Sequence, residues 1–206
     1  MEPIFIKNFL PQPVLSLVEN YCLLKYSNRY SFEDIDSQTN SLVGEYSDVL
    51  MESILDISTS VIEKNVNKSL FPTYSYFRIY DLGSDLKFHT DRESCEYTVA
   101  LCISANPLDK PYNIYIGEKD KTSNYKYLNG KTNSYETLKI NHTFPMLPND
   151  ALIFKGTEAL HWREQCENDY YMTVFLHYVD AKGDFKDSKF DKRTSLGVMK
   201  KDTKLF

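Results

Sequence analysis

The chain is poor in several things that would have pointed elsewhere. It has one tryptophan, seven glycines and four cysteines in 206 residues. The cysteines, at 22, 95, 102 and 166, show no C-x-x-C spacing, which argues against a zinc ribbon or a thioredoxin-type site. Four unpatterned cysteines suit a reducing compartment. No apolar run reaches the length of a membrane span, and the N-terminus lacks the basic-then-apolar pattern of a signal peptide. These features lead us to expect a cytoplasmic protein with no membrane partner. Asn141-His142-Thr143 fits a glycosylation sequon, which carries little meaning without a secretory signal. Positive charge is also short. The net charge of −5 argues against nucleic acid as a partner, because general binding to it relies on a basic surface.

What is present fits one soluble domain. The length and a hydrophobic content of 42% are ordinary for a single core. Tyrosine is frequent, at 16 residues. The segment 181–206 is basic and reads as a solvated C-terminal tail, with a docking segment for an acidic partner as the other reading. The remainder, residues 1–180, reads as one domain, with a helical flank over 10–70 and a β core over 71–180. Pro11 and Pro13 lead into a first helix through Cys22, since proline is tolerated in a first helical turn. Leu42, Tyr46, Leu50, Ile54, Ile57 and Val61 fall three or four apart, and predict a second helix over 42–65. From residue 71 the pattern is mostly β. Tyr74 to Tyr80 is aromatic and β-branched, Ala151 to Phe154 and Met172 to Val179 are apolar runs, and Asn129-Gly130 is a hairpin signal. Helices followed by many short strands predict an α+β, mainly β chain: a double-stranded β-helix, or jelly roll, with flanking helices.

The candidate site lies in His89-Thr90-Asp91 and the distant His161. In an extended strand, residues i and i+2 point to one side. His89 and Asp91 could therefore reach one metal together, with His161 closing the set from another strand. Two imidazoles and a carboxylate on one face leave the opposite face open, the facial-triad arrangement of non-haem Fe(II) oxygenases.

With its surroundings, this pattern resembles the 2-oxoglutarate- and Fe(II)-dependent oxygenases, in particular the prolyl-4-hydroxylase-like branch. The resemblance runs over roughly residues 74–180. It rests on Tyr80-x-x-Gly83 leading to His89-x-Asp91, then Pro148-x-Asp150-Ala151-Leu152-Ile153-Phe154 and His161; the opening Pro3 to Leu10 also looks like the first strand of such enzymes. It implies Fe(II) held by His89, Asp91 and His161, with 2-oxoglutarate and dioxygen as co-substrates. The implied reaction is oxidation of an unactivated C–H, most simply hydroxylation, with release of succinate and carbon dioxide. The substrate would be a small molecule or peptide, with a slight tilt toward an amino-acid residue, free or in a chain. Oligomeric state is not readable.

The far carboxylate of the co-substrate needs a cation, because an unpaired buried carboxylate is costly. The resembling enzymes place a Lys or Arg nine or ten residues after the second histidine, where this chain has Tyr170 and Tyr171. Arg163, two residues past His161, is the first candidate, for its bidentate fork and its inward face. Arg78 is the reserve, Tyr80 a hydroxyl donor to the same carboxylate, and Thr98 a weaker candidate. Trp162 should point away from the pocket, His142 should lie on the surface, and His177 reads as a structural hydrogen bonder. The polar, tyrosine-rich stretch from Ser104 to Asn141 is expected to form strands and a lid. Two alternatives remain: a jelly-roll zinc or manganese hydrolase or isomerase, and a non-catalytic binding module.

Overall fold

The computed structural model describes residues 1–29, 39, 43–129 and 134–198. Among these residues, two α-helices and eleven strands carry the fold. In chain order they are β1 (Ile4–Ile6), α1 (Gln12–Ser27), β2 (Val43–Tyr46), α2 (Val49–Val66), β3 (Leu70–Asp81), β4 (Leu86–His89), β5 (Tyr97–Asn106), β6 (Tyr112–Lys119), β7 (Lys126–Asn129), β8 (Ser134–Met146), β9 (Ala151–Lys155), β10 (Leu160–Arg163) and β11 (Tyr170–Asp180). They form a six-stranded sheet, β1-β9-β5-β11-β3-β2, facing a five-stranded sheet, β4-β10-β6-β8-β7. Among the described residues every strand pair is antiparallel. This is the expected jelly roll.

Strand alternation divides the large sheet into two faces. Phe77, Ile79, Val99, Leu101, Ile153, Val174 and Leu176 pack outward against Leu15, Val18 and Cys22 of α1 and Met51, Ile54, Leu55 and Ile62 of α2. Tyr80, Ala100, Cys102, Leu152, Phe154, Tyr171 and Phe175 face inward, into the space between the sheets. Full burial of each large aliphatic side chain on the outer face contributes roughly 1.5–3 kcal/mol. The inner face carries the chemistry.

Helix α2 differs from the sequence reading in start and phase. Val43–Tyr46 is a strand paired with β3, so the helix begins only after Asp48, whose carboxylate accepts from the Met51 N–H at 3.1 Å as an N-cap. Its buried stripe is Met51, Ile54, Leu55, Ser58 and Ile62, and Ile57 and Val61 face solvent. Tyr46, counted as helical in that reading, lies in β2, and Leu42 lies outside the described residues.

The C-terminal segment also differs. Residues 186–192 form short 3-10 turns broken by a non-helical kink at Lys189, Phe190 and Asp191 and packed on the domain, with Ser188 and Asp191 buried. Arg193 donates to Glu52 of α2 and, at 2.9 Å, to the Thr73 carbonyl. Its basic composition suggested a solvated tail because specific ion pairs are invisible in a charge count; residues 199–206 lie outside the described set. Of the Asn129-Gly130 hairpin signal, Gly130 lies outside it too, though β7 and β8 do pair antiparallel. The Ser104–Asn141 stretch contributes strands β6, β7 and part of β8.

Candidate metal centre

His89 ends β4 and His161 lies on β10, and the two are direct partners in the antiparallel register. Their ring centroids are 4.3 Å apart. Each ring is aimed by the same device: Nδ1 of His89 lies 2.8 Å from the Lys87 carbonyl, and Nδ1 of His161 lies 2.9 Å from the Ala159 carbonyl. A carbonyl only accepts, so both Nδ1 atoms carry the proton and both Nε2 lone pairs are free for a metal. Those atoms point at one carboxylate oxygen. Asp91 Oδ1 stands 3.3 Å from His89 Nε2 and 3.7 Å from His161 Nε2.

Asp91 follows the strand and is tied down separately. Its N–H donates to the Gly156 carbonyl at 2.8 Å, and its Oδ2 accepts from the Thr98 hydroxyl at 2.7 Å. Thr98 in turn lies 3.1 Å from His177 Nδ1. Since the Thr98 proton goes to Asp91, His177 donates to the Thr98 oxygen. Thr98 was a co-substrate candidate; its hydroxyl is instead occupied in holding Asp91. His177 is the structural hydrogen bonder expected, at the end of this chain.

The electrostatics favour a metal over a proton. Burial works against the charged Asp91 carboxylate, but the adjacent His89 side chain and the nearby His161 and His177 outweigh it and hold the acid below the ordinary carboxylate range. Burial pushes His161 down to about 4 and His177 likewise to about 4, with Asp91 pulling both the other way. At neutral pH His161 is thus a neutral imidazole and Asp91 a carboxylate, the forms that bind a divalent ion. The three ligand atoms lie within 4.8 Å of one another. A second group, Asp91, Cys95 and His177, meets the same distance criterion. It shares the same carboxylate and includes a thiol that burial pushes up to about 12. The first set, with two imidazoles aimed by carbonyls, is the better-built site and suits iron.

The centre opens into a cavity of about 480 Å³ lined by Arg78, Arg92, Tyr74, Tyr76 and Phe175, besides the residues above. Arg78, the reserve cation, is therefore in the wall; its guanidinium lies over the rings of Tyr76 and Phe175 at 4.9 and 5.6 Å. Arg163, the first candidate, lies outside the lining of this cavity. It is fully buried and caged by Tyr112, Tyr171 and Tyr80, whose ring centroids lie 4.6, 4.9 and 5.5 Å from its Cζ. One nitrogen donates to the Tyr112 carbonyl at 2.6 Å. Its Nε and Nη2, and the Tyr171 hydroxyl that stands beside it and Cys102, make no hydrogen bond of ordinary geometry among the described residues. Tyr80, the hydroxyl candidate, is buried between the sheets outside the lining of this cavity, and Arg78 Nη1 reaches its hydroxyl at 3.4 Å. Trp162 points the opposite way, onto Tyr115 and Tyr125 outside the barrel.

Sequence reasoning missed three parts of the site. Gly156 was taken only as a strand breaker. Arg92, next to Asp91, lines the cavity. Asp191, which pairs with Arg92, lies too far along the chain for any local signal.

No protein-family model matches the chain, and no curated protein matches it. Solved structures do. A prolyl-4-hydroxylase from Pseudomonas putida is 11% identical, with a TM-score of 0.57 over 86% of this chain and 92% of that one. The non-haem α-ketoglutarate-dependent carbocyclase SnoK from nogalamycin biosynthesis is 12% identical, with a TM-score of 0.59 over 87% of this chain and 79% of that one. EctD from S. alaskensis with bound Fe is 8% identical, with a TM-score of 0.57 over 96% of this chain and 83% of that one. The chain shares the jelly-roll fold of the iron- and 2-oxoglutarate-dependent oxygenases.

Proposed function

We propose that the protein is an Fe(II)- and 2-oxoglutarate-dependent dioxygenase that hydroxylates an unactivated C–H of an amino acid, free or in a peptide, or of a small metabolite. The observation that carries this reading is the convergence of His89 Nε2, His161 Nε2 and Asp91 Oδ1, each fixed by its own backbone or hydroxyl tie, at a cavity between the sheets. Bound Fe(II) supplies the coupling of dioxygen reduction to decarboxylation of 2-oxoglutarate, and so the oxidising power for the C–H.

The rest falls to the chain. His89, Asp91 and His161 would hold the ion. The Lys87 and Ala159 carbonyls keep the imidazoles in the binding tautomer. Arg163 and Tyr171 offer buried N–H and O–H groups without hydrogen bonds of ordinary geometry, and the far carboxylate of 2-oxoglutarate would satisfy them. The tyrosine at the position where the resembling enzymes carry their cation thus stands beside an arginine supplied by β10. The cavity is of small-molecule size. It suits a small substrate, or one side chain of a peptide, beside the co-substrate.

The deciding experiment is a titration of 2-oxoglutarate into the anaerobic Fe(II)-loaded protein, read in the visible spectrum. A weak charge-transfer band on chelation is the expected result, absent in His89→Ala, Asp91→Ala and His161→Ala variants that keep their circular dichroism. A folded, iron-loaded protein with no band would send the reading to a zinc or manganese enzyme on the same fold.

A further inference from the structure

The loop that carries Asp91 is gripped from behind by a residue of the C-terminal segment. Asp191 is 2% exposed and accepts four hydrogen bonds around its carboxylate. Arg92 gives two, Nη1 to Oδ1 at 2.7 Å and Nη2 to Oδ2 at 2.9 Å. Ser94 gives a third at 2.7 Å and the Tyr46 hydroxyl a fourth at 2.6 Å. Arg92 directly follows the Asp91 ligand, and its guanidinium lies 4.5 Å over the ring of Tyr74. That ring packs against His177 at 4.6 Å and Tyr46 at 4.9 Å. One carboxylate thus organises the ligand loop and one wall of the cavity.

The backbone that delivers Asp191 is itself unusual. Phe190, Asp191 and Lys192 have φ of +53°, +54° and +63°, three consecutive residues in the left-handed region without a glycine. Such a run is unfavourable for L-residues and persists only where the surroundings impose it. Here the imposing contacts are the four bonds to Asp191 and the anchor of Arg193 on Glu52.

We infer that Asp191 is a positioning residue of the metal centre, acting through Arg92 and Ser94 to hold the 91–95 loop in its metal-binding form. This rests on the metal-centre reading given above. Two physical effects combine. The four bonds pre-organise the loop, so Asp91 is already placed when the ion arrives. The carboxylate also neutralises Arg92, whose guanidinium, if released, would compete for the neighbouring Asp91 carboxylate.

Co(II), a spectroscopic stand-in for Fe(II), tests this on the full chain without any co-substrate. Its affinity is read from the visible ligand-field bands at a temperature where every variant is folded. Asp191→Asn weakens Co(II) about tenfold, the low end of what loss of an outer-sphere partner costs. Asp191→Glu, which keeps the charge, recovers part of that loss. A purely structural role would move the thermal midpoint and leave Co(II) affinity alone. If Asp191→Asn does not fold, Arg92→Gln cuts the same link from the loop side and carries the same expectation. Wild-type affinity in whichever of these variants folds overturns the inference. A wild-type protein that binds no Co(II) overturns the metal-centre reading as well, an outcome distinct from the first.

Discussion

Gly156 leaves the space that Asp91 needs. The Asp91 N–H donates to the Gly156 carbonyl at 2.8 Å, and a Cβ on Gly156 would stand 2.3 Å from Asp91 Oδ2 and 2.5 Å from both the Thr98 hydroxyl and the Cys95 carbonyl. The last of these is backbone and cannot swing aside. Gly156→Ala therefore displaces the carboxylate or breaks its bond to Thr98. The expected cost is roughly 1–3 kcal/mol in stability, as for overpacking elsewhere. Metal affinity should fall more than tenfold, a size set by lost outer-sphere support. Calorimetric metal titration beside a denaturant melt measures both, and unchanged metal affinity would show that Asp91 is not held here.

Arg163 and Arg78 make opposite predictions for the co-substrate. A buried guanidinium with two nitrogens lacking hydrogen bonds of ordinary geometry costs folding free energy, and an apolar residue of similar volume can be neutral or stabilising in its place. Arg163→Met should leave the co-substrate-free protein as stable as the parent or more so, while weakening 2-oxoglutarate at least tenfold and sparing Fe(II) binding. Arg78→Met should leave 2-oxoglutarate affinity within about threefold, well under the 1.4 kcal/mol of a tenfold change. The reverse ranking would move the co-substrate's carboxylate to the cavity wall.

The sequence disclosed the parts of this site that follow a period. His89 and Asp91 are two residues apart, and strand geometry alone brings such residues to one side. Trp162 falls between His161 and Arg163, and alternation alone sends it outward. The jelly roll was legible for the same reason, from short apolar runs separated by turn residues. What stayed hidden depends on contacts between distant segments. The bonds of Asp191 to Arg92, of Arg193 to Glu52 and of Thr98 to Asp91 leave no trace in composition or spacing. The phase of α2 was lost because Ile57 and Val61 are apolar yet solvent-exposed, so they mimic a buried stripe.

Acid should destabilise the metal-free protein through two histidines. His161 and His177 are held down to about 4 by burial, against an ordinary value of 6.5. Their folded values lie below their unfolded ones, so the unfolded chain takes up protons first as pH falls. The stability is fully present above about 6.5 and is lost progressively down through about 4. Asp91, also depressed, adds loss of the same sign below its ordinary carboxylate range. Thermal midpoints of the metal-free protein across pH 4–7 should therefore fall steadily, and His177→Gln should flatten part of the slope. A flat profile in the parent would show that these imidazoles are not buried neutral.

The Arg193–Glu52 pair decides whether the C-terminal segment is a tail or a part of the domain. Both side chains are almost fully buried, at 1% and 2% exposed. Glu52 also accepts from the Gly197 N–H, and Arg193 also donates to the Thr73 and Val198 carbonyls. Removing one partner of such a pair leaves a buried charge alone, which costs about 3–5 kcal/mol. Arg193→Ala should therefore shift the urea midpoint far to lower concentration. Adding Glu52→Gln to it should recover much of the loss, because the orphaned charge is then gone. Truncation after residue 185 should cost at least as much as Arg193→Ala, since it removes Asp191 and its four bonds as well. If the truncated protein melts like the parent, the segment contributes nothing to stability and the solvated-tail reading of its composition returns.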